Sequence, residues 1–233
     1  MSYNIHHANP PSRVGLIDLD AIANVINREK PDLVAVQEVD VHTSRSGKEV
    51  SEAAVLANKT GMKAYFAKSI HYDGGDYGVL ILSRLPISNA ETHRLPTASG
   101  TDGEPRVLAT AEVEVMGRKL LFACTHLDAQ RADTNRFLQI NTIAEILQKE
   151  KLPVVMGGDF NAEAGGSVID VLDQHLTRTC TTNCGFTIPS DQPGKTIDFI
   201  AFTPGAFDVK EQKVINEPYA SDHLPVTATL RFH

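Results

Sequence analysis

The stretch Val107–Leu127, VLATAEVEVMGRKLLFACTHL, decides the fold. From Ala109 to Val115 apolar and polar residues alternate, the period of a strand with one buried face. Met116-Gly117-Arg118 then turns the chain into a second run, Lys119–Leu127, and two such strands around a tight turn make a hairpin. Parallel strands need long crossovers, usually helical. Successive strands without a helix in the middle of the chain therefore disfavour a parallel doubly wound sheet.

Working outward, further strand-like runs are Leu33–Val39, Val79–Leu82, Val154–Met156, Thr196–Phe202 and Leu224–Leu230. Many are rich in Val, Ile and Phe and bounded by Gly, Pro, Asn or Asp. Helical spacing occurs at Leu19, Ile22, Ala23 and Ile26, with Asp18 as N-cap and Pro31 as the stop. A second stripe, Val50, Ala54 and Ala57, ends before Gly61, and a third, Ile140, Ile143, Ala144 and Leu147, is closed by Pro153. Hairpins mixed with helical segments predict an α/β fold, a four-layer α/β/β/α sandwich of two mixed β-sheets flanked by helices. No linker or repeat divides the chain, so residues 1–233 are expected to form a single domain.

With 42% hydrophobic and 22% charged residues, the chain has an ordinary globular composition. A core of this size is stable without a structural metal, so any metal is expected to serve chemistry. The formal net charge of −7 and the absence of a lysine/arginine-rich run disfavour nucleic acid as the principal partner. No run is apolar enough to span a bilayer, and a monomer is expected. Ser2-Tyr3-Asn4-Ile5 starts abruptly, like a strand already in progress; export is expected if a leader precedes it, and a cytoplasmic location otherwise. Cys124 sits in an apolar run and is expected to be a buried thiol. Cys180 and Cys184 share a polar loop that suits a local disulfide, two free thiols or, least of all, a zinc site.

Candidate reactive groups gather at strand ends. Glu38 follows Leu33–Gln37, Asp159 follows Val154–Gly158 with Asn161 two residues on, His126 closes Leu120–Thr125, and Asp222-His223 precedes the last strand. Strand ends expose such groups while the sheet fixes their position. Taken singly each has a plainer reading: a solvated Glu38, a core His126, an Asn4 that caps a strand, a Gly158-Asp159 turn. Their convergence favours chemistry. Asp198 lies within the apolar run Ile197–Ile200, where a carboxylate requires a partner, and a histidine is the natural one. Ser221-Asp222-His223 is no catalytic triad, because neighbours in extended chain point to opposite faces. Neither a Gly-x-Ser-x-Gly elbow nor a phosphate loop nor a dinucleotide fingerprint is present.

The ordered series Ser2-Tyr3-Asn4-Ile5, Val36-Gln37-Glu38-Val39, Leu80-Ile81-Leu82-Ser83-Arg84, Thr125-His126-Leu127-Asp128, Gly158-Asp159-Phe160-Asn161, Ile197-Asp198-Phe199-Ile200 and Ser221-Asp222-His223 resembles the endonuclease/exonuclease/phosphatase superfamily, which includes deoxyribonuclease I, abasic-site endonucleases, neutral sphingomyelinases and inositol polyphosphate 5-phosphatases. The match spans nearly the whole chain. The resemblance implies a metal-dependent phosphoester hydrolase with Mg²⁺, or alternatively Mn²⁺ or Ca²⁺, as cofactor. Glu38 is implied as the principal metal ligand, with Asn4 close by and Asp222 completing the site through water. Asp159 is implied to orient or deprotonate the attacking water or to protonate the leaving group, and Asn161 to hold the phosphate. His126 and His223, the latter oriented by Asp198, are implied phosphoryl contacts. Gly75-Asp76-Tyr77-Gly78 and Glu104-Pro105-Arg106 resemble segments of a compact bacterial branch, which makes Tyr77 and Arg106 substrate contacts or structural residues. Near-minimal length and acidity turn the expectation towards a small or lipid-linked phosphoester, with a nuclease as the alternative and a silent binding module as a third reading.

Overall fold

The computed structural model describes residues 1–233 and contains two six-stranded mixed sheets. The first holds β1 (Ser2–Asn4), β2 (Leu33–Val41), β3 (Lys63–Tyr72), β4 (Gly75–Ser83), β11 (Phe207–Val214) and β12 (Val226–Phe232) in the order β11-β12-β1-β2-β4-β3. The second holds β5 (Ile87–Arg94), β6 (Val107–Val115), β7 (Arg118–His126), β8 (Val154–Asp159), β9 (Thr177–Arg178) and β10 (Asp198–Phe202) in the order β5-β6-β7-β8-β10-β9. Only β1/β2 and β7/β8 pair in parallel. Helices α1 (Leu19–Glu29) and α2 (Glu52–Thr60) cover the outer face of the first sheet, and α3 (Thr134–Leu147) and α4 (Ser167–His175) cover that of the second. The expected four-layer sandwich is the observed one.

Three apolar clusters follow from this layering. One lies under α1 and α2, one under α3 and α4, and one between the sheets, where Ala35, Val79 and Ile81 meet Ala109, Phe122 and Cys124. The central strands approach closely at Gly157, where an added Cβ would lie 2.9 Å from the Ala35 Cβ and 3.2 Å from that of Ser2. Glycine at this position lets β8 sit against β1 and β2, and so brings together the ends of strands from both sheets.

Local signals account for the elements that were expected. Val115 pairs with Arg118, leaving Met116 (φ 52°) and Gly117 (φ 78°) as a two-residue loop with the left-handed backbone of a type I′ hairpin turn. Asp18 Oδ1 accepts the Ala21 amide at 2.9 Å to cap α1, Ser51 Oγ caps α2, and Gly61 (φ 67°) ends α2. Cys180 and Cys184 form a disulfide, and Cys124 is a buried free thiol.

The strands that composition did not reveal, β3, β5, β9 and β11, occupy the four sheet edges. Edge strands carry polar and charged residues, which blunts the apolar signal. Helix α4 also went unseen, because its Gly166 N-cap offers no side chain to mark the start. One placement is corrected: Glu38 does not end its strand. Strand β2 continues to Val41, and Glu38 (φ 59°) lies at a bulge where the β2/β4 register shifts between Val36 and Val39. The extra residue turns the Glu38 side chain out of the ladder pattern, as bulges beside functional sites do.

Candidate active site

Asp159 is the centre of the cluster. It closes β8, with His126 as its register partner on β7 and Asp198 as its partner on β10. Asn4, at the end of β1, donates from Nδ2 to Asp159 Oδ2 at 2.9 Å and to Glu38 Oε1 at 3.0 Å, tying carboxylates of the two sheets together. Asp159 Oδ2 also lies 3.5 Å from His126 Nε2 and 3.7 Å from His223 Nε2. Its Oδ1 accepts the Asn161 amide at 2.9 Å. Asn161 stands in a left-handed conformation (φ 48°), and its Nδ2 donates to Leu127 O at 3.0 Å beside His126 Nε2.

His223 Nδ1 meets Asp198 Oδ2 at 2.9 Å, the partnership that a buried Asp198 required. Ser221 is a strut: its Oγ donates to Asn4 O at 2.7 Å and accepts the His223 amide at 3.2 Å. Burial opposes a charge on His223, but the Asp198 carboxylate and its hydrogen bond override this and raise the ring to about 10, so it is an imidazolium at neutral pH. For Asp159, burial and then the Asp198 charge push the carboxyl up to about 7.

His126 is the opposite case. Burial and the neighbouring Arg106 hold it well below the ordinary imidazole value, so it is neutral. Arg106 Nη1 lies 3.3 Å from His126 Nδ1 and Asn161 Nδ2 lies 3.1 Å from its Nε2, so both ring nitrogens face groups that only donate, an environment that disfavours a second proton on the ring. Arg106 pairs with Glu104 Oε1 at 2.8 Å and lies beside Tyr77, while its buried Nε has no partner. Behind Tyr77, the Arg45 guanidinium lies 5.6 Å from the Tyr77 ring centroid and 4.4 Å from that of Tyr72, and it is fixed by two hydrogen bonds to buried Asp40.

Burial pushes Glu38 up, yet His7, His126 and the Asn4 amide together hold its carboxyl below the usual carboxylate range. Glu38 Oε2 makes no hydrogen bond, and His7 Nδ1, 4.0 Å away, is buried without a partner. An ionised carboxylate with an unused oxygen beside an orphaned imidazole nitrogen fits a divalent cation. Asp159, Asp198 and His223 form a second acidic and imidazole cluster, with ligand atoms within 4.8 Å of one another, but these groups already satisfy each other through the Asp198–His223 hydrogen bond.

Asn4, Glu38, Tyr77, Arg106, His126, Asp159, Asn161, Asp198 and His223 thus form one connected group. Asp222 stands at its margin, with Oδ1 4.0 Å from His6 Nδ1. His6, His7 and Arg45 escaped the sequence reading. The adjacent histidines directly after Asn4-Ile5 were the available signal; for Arg45 there was none, because its role depends on two tyrosines brought over it by folding.

The solved structures similar to this one share its layers. An endonuclease/exonuclease/phosphatase from Beutenbergia cavernae DSM 12333 is 24% identical, with 99% of this chain and 70% of that chain covered and a TM-score of 0.80. The mannosyl-6-phosphatase Bt3783 of Bacteroides thetaiotaomicron VPI-5482 is 20% identical over 99% of this chain and 98% of that chain, with a TM-score of 0.80. The human Nocturnin catalytic domain, solved with a bound sulfate anion, is 22% identical over 92% and 86%, with a TM-score of 0.68. At these identities the likeness is one of fold. A family model for the Endonuclease/Exonuclease/phosphatase family matches residues 1–223, from the strand that carries Asn4 through to His223, and the chain belongs to that family.

Proposed function

We propose that this protein is a divalent-metal-dependent hydrolase of small or lipid-linked phosphoesters. The observation that carries this reading is the shared environment of Asp159 Oδ2, with a neutral His126 on one side and a charged His223 on the other. A carboxyl raised to about 7 is matched to general-base work at neutral pH. Asp159 takes the proton of the attacking water, while Asn4 and the Asn161 amide hold the carboxylate in place. His223, as an imidazolium fixed by Asp198, donates to a phosphoryl oxygen, and the His126 ring faces the same space from the other side of Asp159. Arg106 and Tyr77 supply further donors beside His126, and Asn161 steadies that ring.

Glu38 would hold the cation, with Asn4 positioning the carboxylate and Asp222 nearby. When bound, the cation supplies stabilisation of the charge that develops on the phosphoryl and leaving oxygens. The small-substrate reading rests on the net charge of −7 and on the description of the Bacteroides relative as a mannosyl-6-phosphatase. A panel of sugar phosphates, lipid-headgroup phosphodiesters, plasmid DNA and RNA, each assayed with and without EDTA, tests it. EDTA-sensitive release of phosphate or alcohol from a small ester is expected. Turnover confined to nucleic acid would replace this reading with a nuclease, and absence of all turnover would leave a binding module.

A further inference from the structure

His7 lies in the sharp turn after β1, where His6, His7 and Ala8 all have left-handed backbones, with φ of 47°, 42° and 56°. Non-glycine residues rarely take this conformation, and seldom three in succession. The turn is held from several sides. The His6 amide donates to Asn4 Oδ1 at 3.0 Å, the Ala8 amide to Ile5 O at 2.8 Å, and the Asp18 amide to Ala8 O at 2.7 Å. His6 Nδ1 bonds Asn9 O at 2.9 Å, and its ring packs edge-on against that of His7 with centroids 4.5 Å apart. The consequence is that the His7 ring is directed at Glu38.

What it finds there is incomplete. His7 Nδ1 is 4.0 Å from Glu38 Oε2, beyond hydrogen-bond length, and is buried with no partner, while Oε2 accepts nothing. Two atoms that each lie about 2.1 Å from one ion are separated by roughly 3 to 4 Å, depending on the angle between them. The gap between His7 and Glu38 falls in that range.

We propose that His7 is a nitrogen ligand of the cation at Glu38, making a mixed nitrogen and oxygen site that prefers a first-row transition metal such as Mn²⁺ to Mg²⁺. The inference rests on the metal-dependent reading above and narrows it to an ion class. Mg²⁺ is a hard cation that takes oxygen ligands, whereas imidazole nitrogen raises affinity along the transition series. The ring needs its lone pair at Nδ1, and nothing else in the structure claims it.

Full-length protein stripped with EDTA and titrated with Mn²⁺ and Mg²⁺ tests the assignment, with binding followed by EPR and by competition. Wild-type protein is expected to bind Mn²⁺ about tenfold or more tightly than Mg²⁺, and pulsed EPR of the Mn²⁺ complex should show ¹⁴N coupling from a coordinated imidazole. His7→Ala should lose that coupling and bind Mn²⁺ at least about tenfold more weakly, with Mg²⁺ affinity changing less. His7→Gln restores an oxygen donor and should bind Mn²⁺ without the coupling, which keeps the test valid if the alanine variant unfolds. His175→Ala, at the end of α4, should behave as wild type. Mn²⁺ bound at Glu38 without ¹⁴N coupling, or coupling that persists in the His7 variants and disappears in His6→Ala, overturns the assignment and leaves the hydrolase reading standing. Failure of any divalent ion to bind overturns both.

Discussion

Asp159 and Asp198 are register partners on the antiparallel strands β8 and β10, two carboxylates buried to 1% and 2% exposure on facing positions of one ladder. Like charges so placed repel. His223 offsets the repulsion by bonding Asp198 at 2.9 Å while its other nitrogen lies 3.7 Å from Asp159. The sheet register thus sets the protonation of the site: Asp198 raises both neighbours, giving a carboxyl at about 7 with an imidazolium beside it.

Asp198→Asn is therefore expected to lower kcat on the order of a hundredfold, in the range of a lost acid–base partner. His223 should titrate lower, because the Asp198 charge and hydrogen bond that raise it are gone, and Asp159 should too, because the Asp198 charge is one of its causes. Histidine NMR titration and the pH–rate profile of the variant check both shifts. Unchanged titration would remove Asp198 from the mechanism.

In the wild type, activity should rise with pH through about 7 as Asp159 ionises and fall towards about 10 as His223 loses its proton. Stability follows its own sign. His223 is raised above its unfolded value, so its contribution is complete below about 6.5 and is lost as pH rises through the folded value. The thermal midpoint of the wild type should consequently fall between pH 7 and 10 more steeply than that of His223→Gln.

Arg106→Met removes the donor that faces Nδ1 of His126. Since the Arg106 charge is one of the causes that hold His126 low, its titration should move upward in the variant. The rate should drop about tenfold to a hundredfold, with Arg106→Lys recovering little, because a point charge cannot reproduce the guanidinium fork. A kcat and KM comparison alongside histidine chemical shifts separates this from a packing defect.

Glu38→Ala is expected to remove most activity and to weaken divalent-ion binding while leaving the fold intact, since Glu38 is on a bulge rather than in a core cluster. Wild-type turnover by this variant would falsify the placement of the cation. Circular dichroism and metal titration of the same sample supply the controls.

Gly117→Ala should destabilise the protein by about 1 kcal/mol, since φ is 78° and an added Cβ meets no atom within 4 Å, leaving backbone strain as the whole effect. Urea unfolding measures it, and activity should be unchanged.

The hairpin at Met116-Gly117, the caps Asp18 and Gly61, and the strand-end positions of His126 and Asp159 were legible because each depends on neighbours in the chain: alternation, turn chemistry, an apolar run followed by a polar residue. The need of Asp198 for a partner was legible too, since burial of a charge is a local cost, although resemblance to the family was required to name His223. Tertiary structure alone decided the rest. Edge strands β3, β5, β9 and β11 acquire their identity from the strand beside them, and Glu38 leaves its expected strand end because β4 pairs past it with a shifted register. The raised carboxyl of Asp159, the neutral state of His126 and the approach of His7 to Glu38 are consequences of distance and burial among residues far apart in sequence, where electrostatic energy depends on separation and dielectric rather than on order along the chain.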